Sequence, residues 1–97
     1  MTGGPMTEVV DNRPEQRFEA AVDGVTVGTL DYVVDGNVLV TTHTIVSRDY
    51  ERRGVGSQLA AAVLVSARDQ DLRVRPECSF IARYIVKHPE FAGLLEA

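Results

Sequence analysis

From residue 17 onward, apolar and polar positions alternate along the chain. Phe18, Ala20 and Val22 fall on one face of residues 17–22, the period of a half-buried strand. Asp23-Gly24 follows, a pair favoured in the two-residue turns of type I′ hairpins. Residues 25–34 return as a second strand, and Asp35-Gly36-Asn37 turns the chain again. Residues 38–46 read as a third strand, rich in the β-branched side chains that suit a pleated surface. Three strands joined by tight turns predict an antiparallel meander.

Beyond Gly56 the period changes. Leu59, Val63 and Ala67 lie on one helical face with Ala60 and Leu64 beside them, which predicts an amphipathic helix over residues 56–68. Residues 72–75 are short and alternating, a fourth strand that Pro76 ends or kinks. A strand reached from the third through a helix is a crossover, so the two should be parallel with a right-handed connection. Pro76 has no N–H to donate to a ladder, so pairing between these strands should fail there and leave a gap. Ser79 is placed to cap a helix in which Phe80/Tyr84 and Ile81/Ile85 stand at i, i+4. His88-Pro89 breaks that helix, and Pro89 starts a last short one through Phe91, Leu94 and Leu95.

The predicted order is β-β-β-α-β-α-α: an α+β fold with a mixed sheet, antiparallel and then parallel. Residues 1–14 are glycine-, proline- and polar-rich without sustained periodicity and read as a mobile tail, leaving residues 15–97 as one domain.

Composition narrows the function. The 97 residues are 44% hydrophobic and 25% charged, as in a soluble globular protein. A net charge of −4 argues against a nucleic-acid binder and suits neutral or cationic partners. The single cysteine, Cys78, has no intramolecular partner, and neither a membrane span nor a signal peptide is evident, so a cytoplasmic protein is expected. Two histidines without a second ligand cluster argue against a metal site.

The chemistry-bearing stretch is residues 42–67. A threonine-rich strand ends at a charged corner, Ser47-Arg48-Asp49-Tyr50-Glu51-Arg52-Arg53, which opens through Gly54-Val55-Gly56 into the alanine-rich helix. The first helical N–H groups lack intrahelical partners, and the macrodipole places partial positive charge there. Glycines let an anion approach the backbone, so the turn is a candidate phosphate site.

These residues resemble the GNAT superfamily of acyl-CoA-dependent N-acetyltransferases, and within it a group of very small single-domain proteins. The match rests on Leu30-Asp31-Tyr32, His43-Thr44, Glu51-Arg52-Arg53-Gly54-Val55-Gly56 and residues 78–85. His88-Pro89-Glu90-Phe91 and Leu94-Leu95 complete it. The resemblance implies that the backbone of Arg53, Gly54, Val55, Gly56 and Ser57 binds the pyrophosphate of acetyl-CoA, with Arg52 or Arg53 touching phosphate and Arg48 only on the surface. It implies that Ile45 and Val46 pair with the pantetheine arm. Where the superfamily favours Gln or Arg, this chain has Glu51, which is expected to point away; where the small group favours proline after its cysteine, Ser79 stands.

For catalysis, His43 reads either as a hydrogen-bonded structural residue sharing a face with Leu39, Thr41 and Ile45, or as the acceptor of an amine proton. Tyr84 reads either as a core aromatic or, as the resemblance implies, as the group that protonates the departing thiolate. Cys78 reads either as an inert core cysteine or, just before a helix N-terminus, as an activated thiol, and the resemblance places it near the acetyl group. Asp31 reads as structural. The expected activity is transfer of an acetyl group to a small-molecule or protein amine; the alternative is a non-catalytic CoA-binding, sensor or interaction module. Acceptor and oligomeric state stay open.

Overall fold

The computed structural model describes residues 7–96. Five strands, in spatial order β1-β2-β3-β4-β5, form one sheet. They are β1 (Thr7–Asn12), β2 (Arg17–Val22), β3 (Val25–Asp35), β4 (Val38–Val46) and β5 (Arg73–Pro76). Helix α1 (Val55–Asp69) joins β4 to β5, and α2 (Ser79–Lys87) is followed by a 3-10 segment, Pro89–Leu94. The first four strands are antiparallel neighbours, and β4 and β5 run parallel.

The hairpin turns follow their residues. Asp23 and Gly24 both take positive φ, 51° and 81°, which a type I′ turn requires. Helix α1 buries Val55, Leu59, Val63 and Ala67 with Ala60 and Leu64 in the core. From α2 come Ile81 and Ile85, and Phe91 closes the same core from the segment beyond.

Four sequence expectations need correction. Of the expected tail, residues 1–6 lie outside the described residues, but Thr7–Asn12 is an edge strand, paired with β2 from Thr7↔Val22 to Asn12↔Arg17. Its ladder is made by backbone groups, and of its side chains only Val9 packs on the core as a hydrophobe, so little periodicity betrays it. The turn after it is held by Asn12, whose Oδ1 accepts from the Glu15 N–H, and by Gln16 at φ 54°. Tyr32 also ties down this corner, donating its hydroxyl to Asp11 Oδ1 at 2.7 Å. Burial and then that bond push the Tyr32 phenol up to about 12.

The second correction concerns β4. Register with β3 slips between Asp31↔His43 and Tyr32↔Thr41, so Thr42 is an extra residue. Its hydroxyl donates to the Asp31 carbonyl at 3.2 Å. The bulge reverses the alternation: Leu39 and Thr41 are buried, but His43 and Ile45 face outward and are exposed. Thirdly, α2 is capped by Cys78, whose backbone is extended, with no side-chain cap bond; Ser79 is already helical. The fourth concerns Glu51 and is described with the site.

Thr41 is fully buried, and its Oγ1 has no hydrogen-bond partner. An orphaned buried hydroxyl destabilises by about 1–3 kcal/mol relative to a paired one. Thr41→Val should therefore raise stability by about 1 kcal/mol and Tm by roughly 5 °C in a thermal melt. A lower Tm would show that the hydroxyl has a partner in solution.

Parallel pairing of β4 with β5 runs from Val38↔Arg73 to Thr41↔Pro76. The Cys78 N–H closes the join on the Thr41 carbonyl at 3.0 Å. Beyond that point residues 42–46 have no strand partner on this side among the described residues. The gap expected at Pro76 is present.

Candidate functional site

The corner after β4 is built from short-range bonds. Ser47 N–H donates to the Val27 carbonyl at 2.7 Å, and Tyr50, Glu51 and Arg53 N–H groups donate to carbonyls three residues back. Tyr50 packs on the core, anchoring the corner. Gly54 then takes φ 79°, and a Cβ there would meet nothing within 4 Å, so the helix starts behind an open backbone surface. The first helical bond of this turn is Gln58 N–H to the Gly54 carbonyl, at 3.0 Å. Among the described residues the N–H groups of Gly54, Val55, Gly56 and Ser57 donate to no protein group. With the helix macrodipole behind them, these donors form a cradle for an anion.

The cradle opens into a cleft of about 250 Å³ lined by Thr44, Val46, Glu51, Gly54, Gly56, Ser57 and Phe80. The cleft exists because β5 leaves β4 at Pro76, and α2 brings Phe80 rather than a strand alongside residues 42–46. Phe80 closes on Gly56, where a Cβ would lie 2.9 Å from its Cζ. Next to the cleft, Cys78 Sγ lies 3.2 Å from Thr44 Oγ1 in a hydrogen bond that either can donate, and Cys78 as a residue is 9% exposed.

The candidate residues divide. Val46, Gly54, Gly56 and Ser57 line the cleft, and Val55 is buried. Ile45 is 65% exposed on the outer face of the sheet. Its backbone belongs to the unpartnered edge of β4. Glu51, expected to point away, is among the residues that line the cleft. Arg53 instead lies over the Tyr50 ring, 5.4 Å from its centroid, in a hollow with Thr7 and Val22. Arg48 and Arg52 are exposed.

His43 stands on the outer face, in register with Asp31. Tyr84 lies one turn beyond Phe80 and stacks on His88, with ring centroids 3.9 Å apart and planes 14° apart. Burial, aided by the nearby Glu90, raises the Tyr84 phenol, which keeps its proton at neutral pH. His43, Cys78 and Tyr84 share no hydrogen bond with one another among the described residues. No group of three or more His, Cys, Asp and Glu among the described residues could hold a metal ion.

A second hollow, of about 170 Å³, adjoins the cleft. It is lined by Ser57, Phe80, Arg83, Tyr84, Lys87 and His88, and shares Ser57 and Phe80 with the cleft. Sequence reasoning missed it, and missed Phe80 as a cleft wall, because an i, i+4 aromatic pair reads as core. The spacing of Arg83 and Lys87 on one helical face was the available signal.

A sequence model of the GCN5-related N-acetyl-transferase family matches residues 17–94 of the chain. No curated protein matches it. Among solved structures it is similar to a GCN5-like putative N-acetyltransferase from Staphylococcus aureus, with 26% identity over 93% of this chain and 88% of that one, TM-score 0.71. The ribosomal-protein-S18-alanine N-acetyltransferase of Escherichia coli shares the fold, with 17% identity over 64% of this chain and TM-score 0.60. This chain spans 42% of that enzyme's length. The aminoglycoside N-acetyltransferase AAC(6')-Iy, solved in complex with CoA, is similar at 23% identity over 84% of this chain and 59% of that one, TM-score 0.54.

Proposed function

The chain belongs to the family of GCN5-related N-acetyl-transferases, and we propose from that premise that its cleft binds acetyl-CoA and serves acetyl transfer to an amine. The observation that carries this reading is that β4–β5 pairing ends after Thr41↔Pro76, so that the unpartnered stretch of β4 shares one cleft with the unpartnered N–H groups at residues 54–57. A bare strand edge next to an anion cradle suits a ligand with an amide-bearing arm and a pyrophosphate. Phe80 and Val46 give that arm apolar walls. That a structural neighbour is solved with CoA supports the same ligand.

Acetyl-CoA brings an acyl group already activated as a thioester, so the chain's task is to orient it, move protons and shield charge. The N–H groups of residues 54–57 hold the phosphates, and the backbone of residues 42–46 fixes the arm. His43, on the outer face beside Asp31, is the acceptor for the proton the amine sheds. Cys78, beside the cleft at Thr44, is a candidate donor to the leaving sulfur, whereas Tyr84 lines the adjoining hollow. The overall charge of −4 favours a cationic acceptor, whether a small molecule or a protein amine. The free Cys78 suits a reducing, cytoplasmic setting.

Cys78 is assigned to the pocket wall rather than to a covalent route. Passing the acetyl group to its sulfur would exchange one thioester for another of similar energy, and its thiol is occupied with Thr44. The test is release of free CoA thiol from acetyl-CoA across a panel of amines, with mass spectrometry of the protein. Thiol release should require an amine, no acetylated protein should accumulate without one, and Cys78→Ala should slow turnover by less than about tenfold. Fast, stoichiometric acetylation of Cys78 that amines discharge would make it the nucleophile. CoA binding without turnover on any amine would leave a binding module instead.

A further inference from the structure

We propose that the hollow on α2 holds the 3′-phosphate of CoA, through Arg83 and Lys87 with the edge of His88. This inference rests on the reading of the cleft as a CoA site. CoA carries two separate anionic groups, the pyrophosphate and a phosphate monoester on the neighbouring ribose. The chain offers two joined hollows, meeting at Ser57 and Phe80. The first provides unpartnered backbone N–H groups, and the second provides cationic side chains.

The charge pattern singles out these cations. Of the ten Lys and Arg residues, Arg13, Arg17, Arg68 and Arg75 form ion pairs, and Arg73 donates to the Gly93 carbonyl. Arg48, Arg52, Arg53, Arg83 and Lys87 have no carboxylate partner among the described residues. Of these five, Arg83 and Lys87 line a hollow contiguous with the cleft. They stand at i, i+4 on α2, where like charges repel and weaken a helix by a few tenths of a kcal/mol. Glu90 lies near Tyr84 but pairs with neither cation. A chain with net charge −4 thus keeps an unrelieved basic pair beside its anion cradle.

The third side of the hollow is prepared as well. His88 Nδ1 lies 2.9 Å from the Tyr84 carbonyl, which only accepts, so Nδ1 carries the proton and donates. That bond and the stack on Tyr84 fix the ring, leaving Nε2 as its other polar edge. A phosphate dianion arriving at Arg83 and Lys87 would relieve their repulsion and gain charge-assisted bonds.

Isothermal titration calorimetry with CoA and with 3′-dephospho-CoA tests the proposal. The intact protein should bind CoA about thirtyfold more tightly, the value of one to two charge-assisted bonds. In the Arg83→Gln/Lys87→Gln variant that preference should fall to about threefold or less, with dephospho-CoA affinity nearly unchanged. Arg68→Gln, which removes the same kind of charge from outside the hollow, should keep the preference. Lys87→Gln alone, at an exposed position, gives an intermediate value should the double variant not fold. Equal affinity of the intact protein for both ligands overturns the inference while the cleft reading stands. So does a preference that survives in the double variant. Failure of both ligands to bind the intact protein overturns the cleft reading and this inference with it.

Discussion

Ser57→Glu is expected to lower CoA affinity by at least about a hundredfold while raising Tm by about 2 °C. The opposite signs follow from one geometry. Ser57 is the third residue of α1, exposed, with an N–H that has no protein acceptor. A carboxylate in the first helical turn interacts favourably with the macrodipole and with those N–H groups, worth about 0.3–1 kcal/mol. The same carboxylate then occupies the place a pyrophosphate needs. Two unit charges about 4 Å apart at an effective dielectric near 20 repel by about 4 kcal/mol, enough for more than a hundredfold. Glu51 is among the residues lining the same cleft. Ser57→Ala should change either quantity little. Calorimetry showing unchanged CoA affinity in a folded, more stable Ser57→Glu protein would remove residues 54–57 from the phosphate site.

The sequence displays this turn because its chemistry is local. A strand, a basic corner, two glycines and an amphipathic helix are contiguous, and the cradle needs nothing from elsewhere. The mixed α+β sheet was legible for the same reason: Asp23-Gly24 sets one hairpin, alternation sets the strands, and Leu59, Val63 and Ala67 set the helix. What stayed hidden depends on distant partners. The slip at Thr42 arises from how β4 meets β3, and it sends His43 outward where simple alternation puts it beside Thr41. Strand β1 is stabilised by its ladder with β2, which leaves few marks in side chains. The hollow on α2 appears only when α2 folds beside the start of α1, bringing Arg83 and Lys87 next to Ser57.

Gly28→Ala is expected to carry the largest stability loss of the substitutions considered, and to weaken CoA binding from a position outside the cleft. Gly28 lies on β3, opposite Val46, on the face covered by α1. A Cβ there would sit 2.9 Å from Val55 Cγ1 and 3.2 Å from Leu59 Cδ1. Neither neighbour has room to give, since Val55 is 1% exposed and Leu59 is 0% exposed. Overpacking of this kind destabilises by about 1–3 kcal/mol. Removing a glycine from a strand recovers about 0.5–1 kcal/mol of backbone entropy. The overpacking is the larger effect, so a net loss of about 1–2 kcal/mol and a Tm lower by roughly 10 °C should follow. Val55 is also the first residue of α1 and carries one of the four unpartnered N–H groups. Moving it displaces the cradle, so CoA affinity should fall severalfold, which Ser57→Ala should not produce. Gly93→Ala, where a Cβ meets nothing within 4 Å, should leave both Tm and affinity near those of the intact protein. A Gly28→Ala protein with higher Tm would refute the packing argument. One with lower Tm and intact CoA affinity would show that the sheet supports α1 without setting the geometry of its first turn.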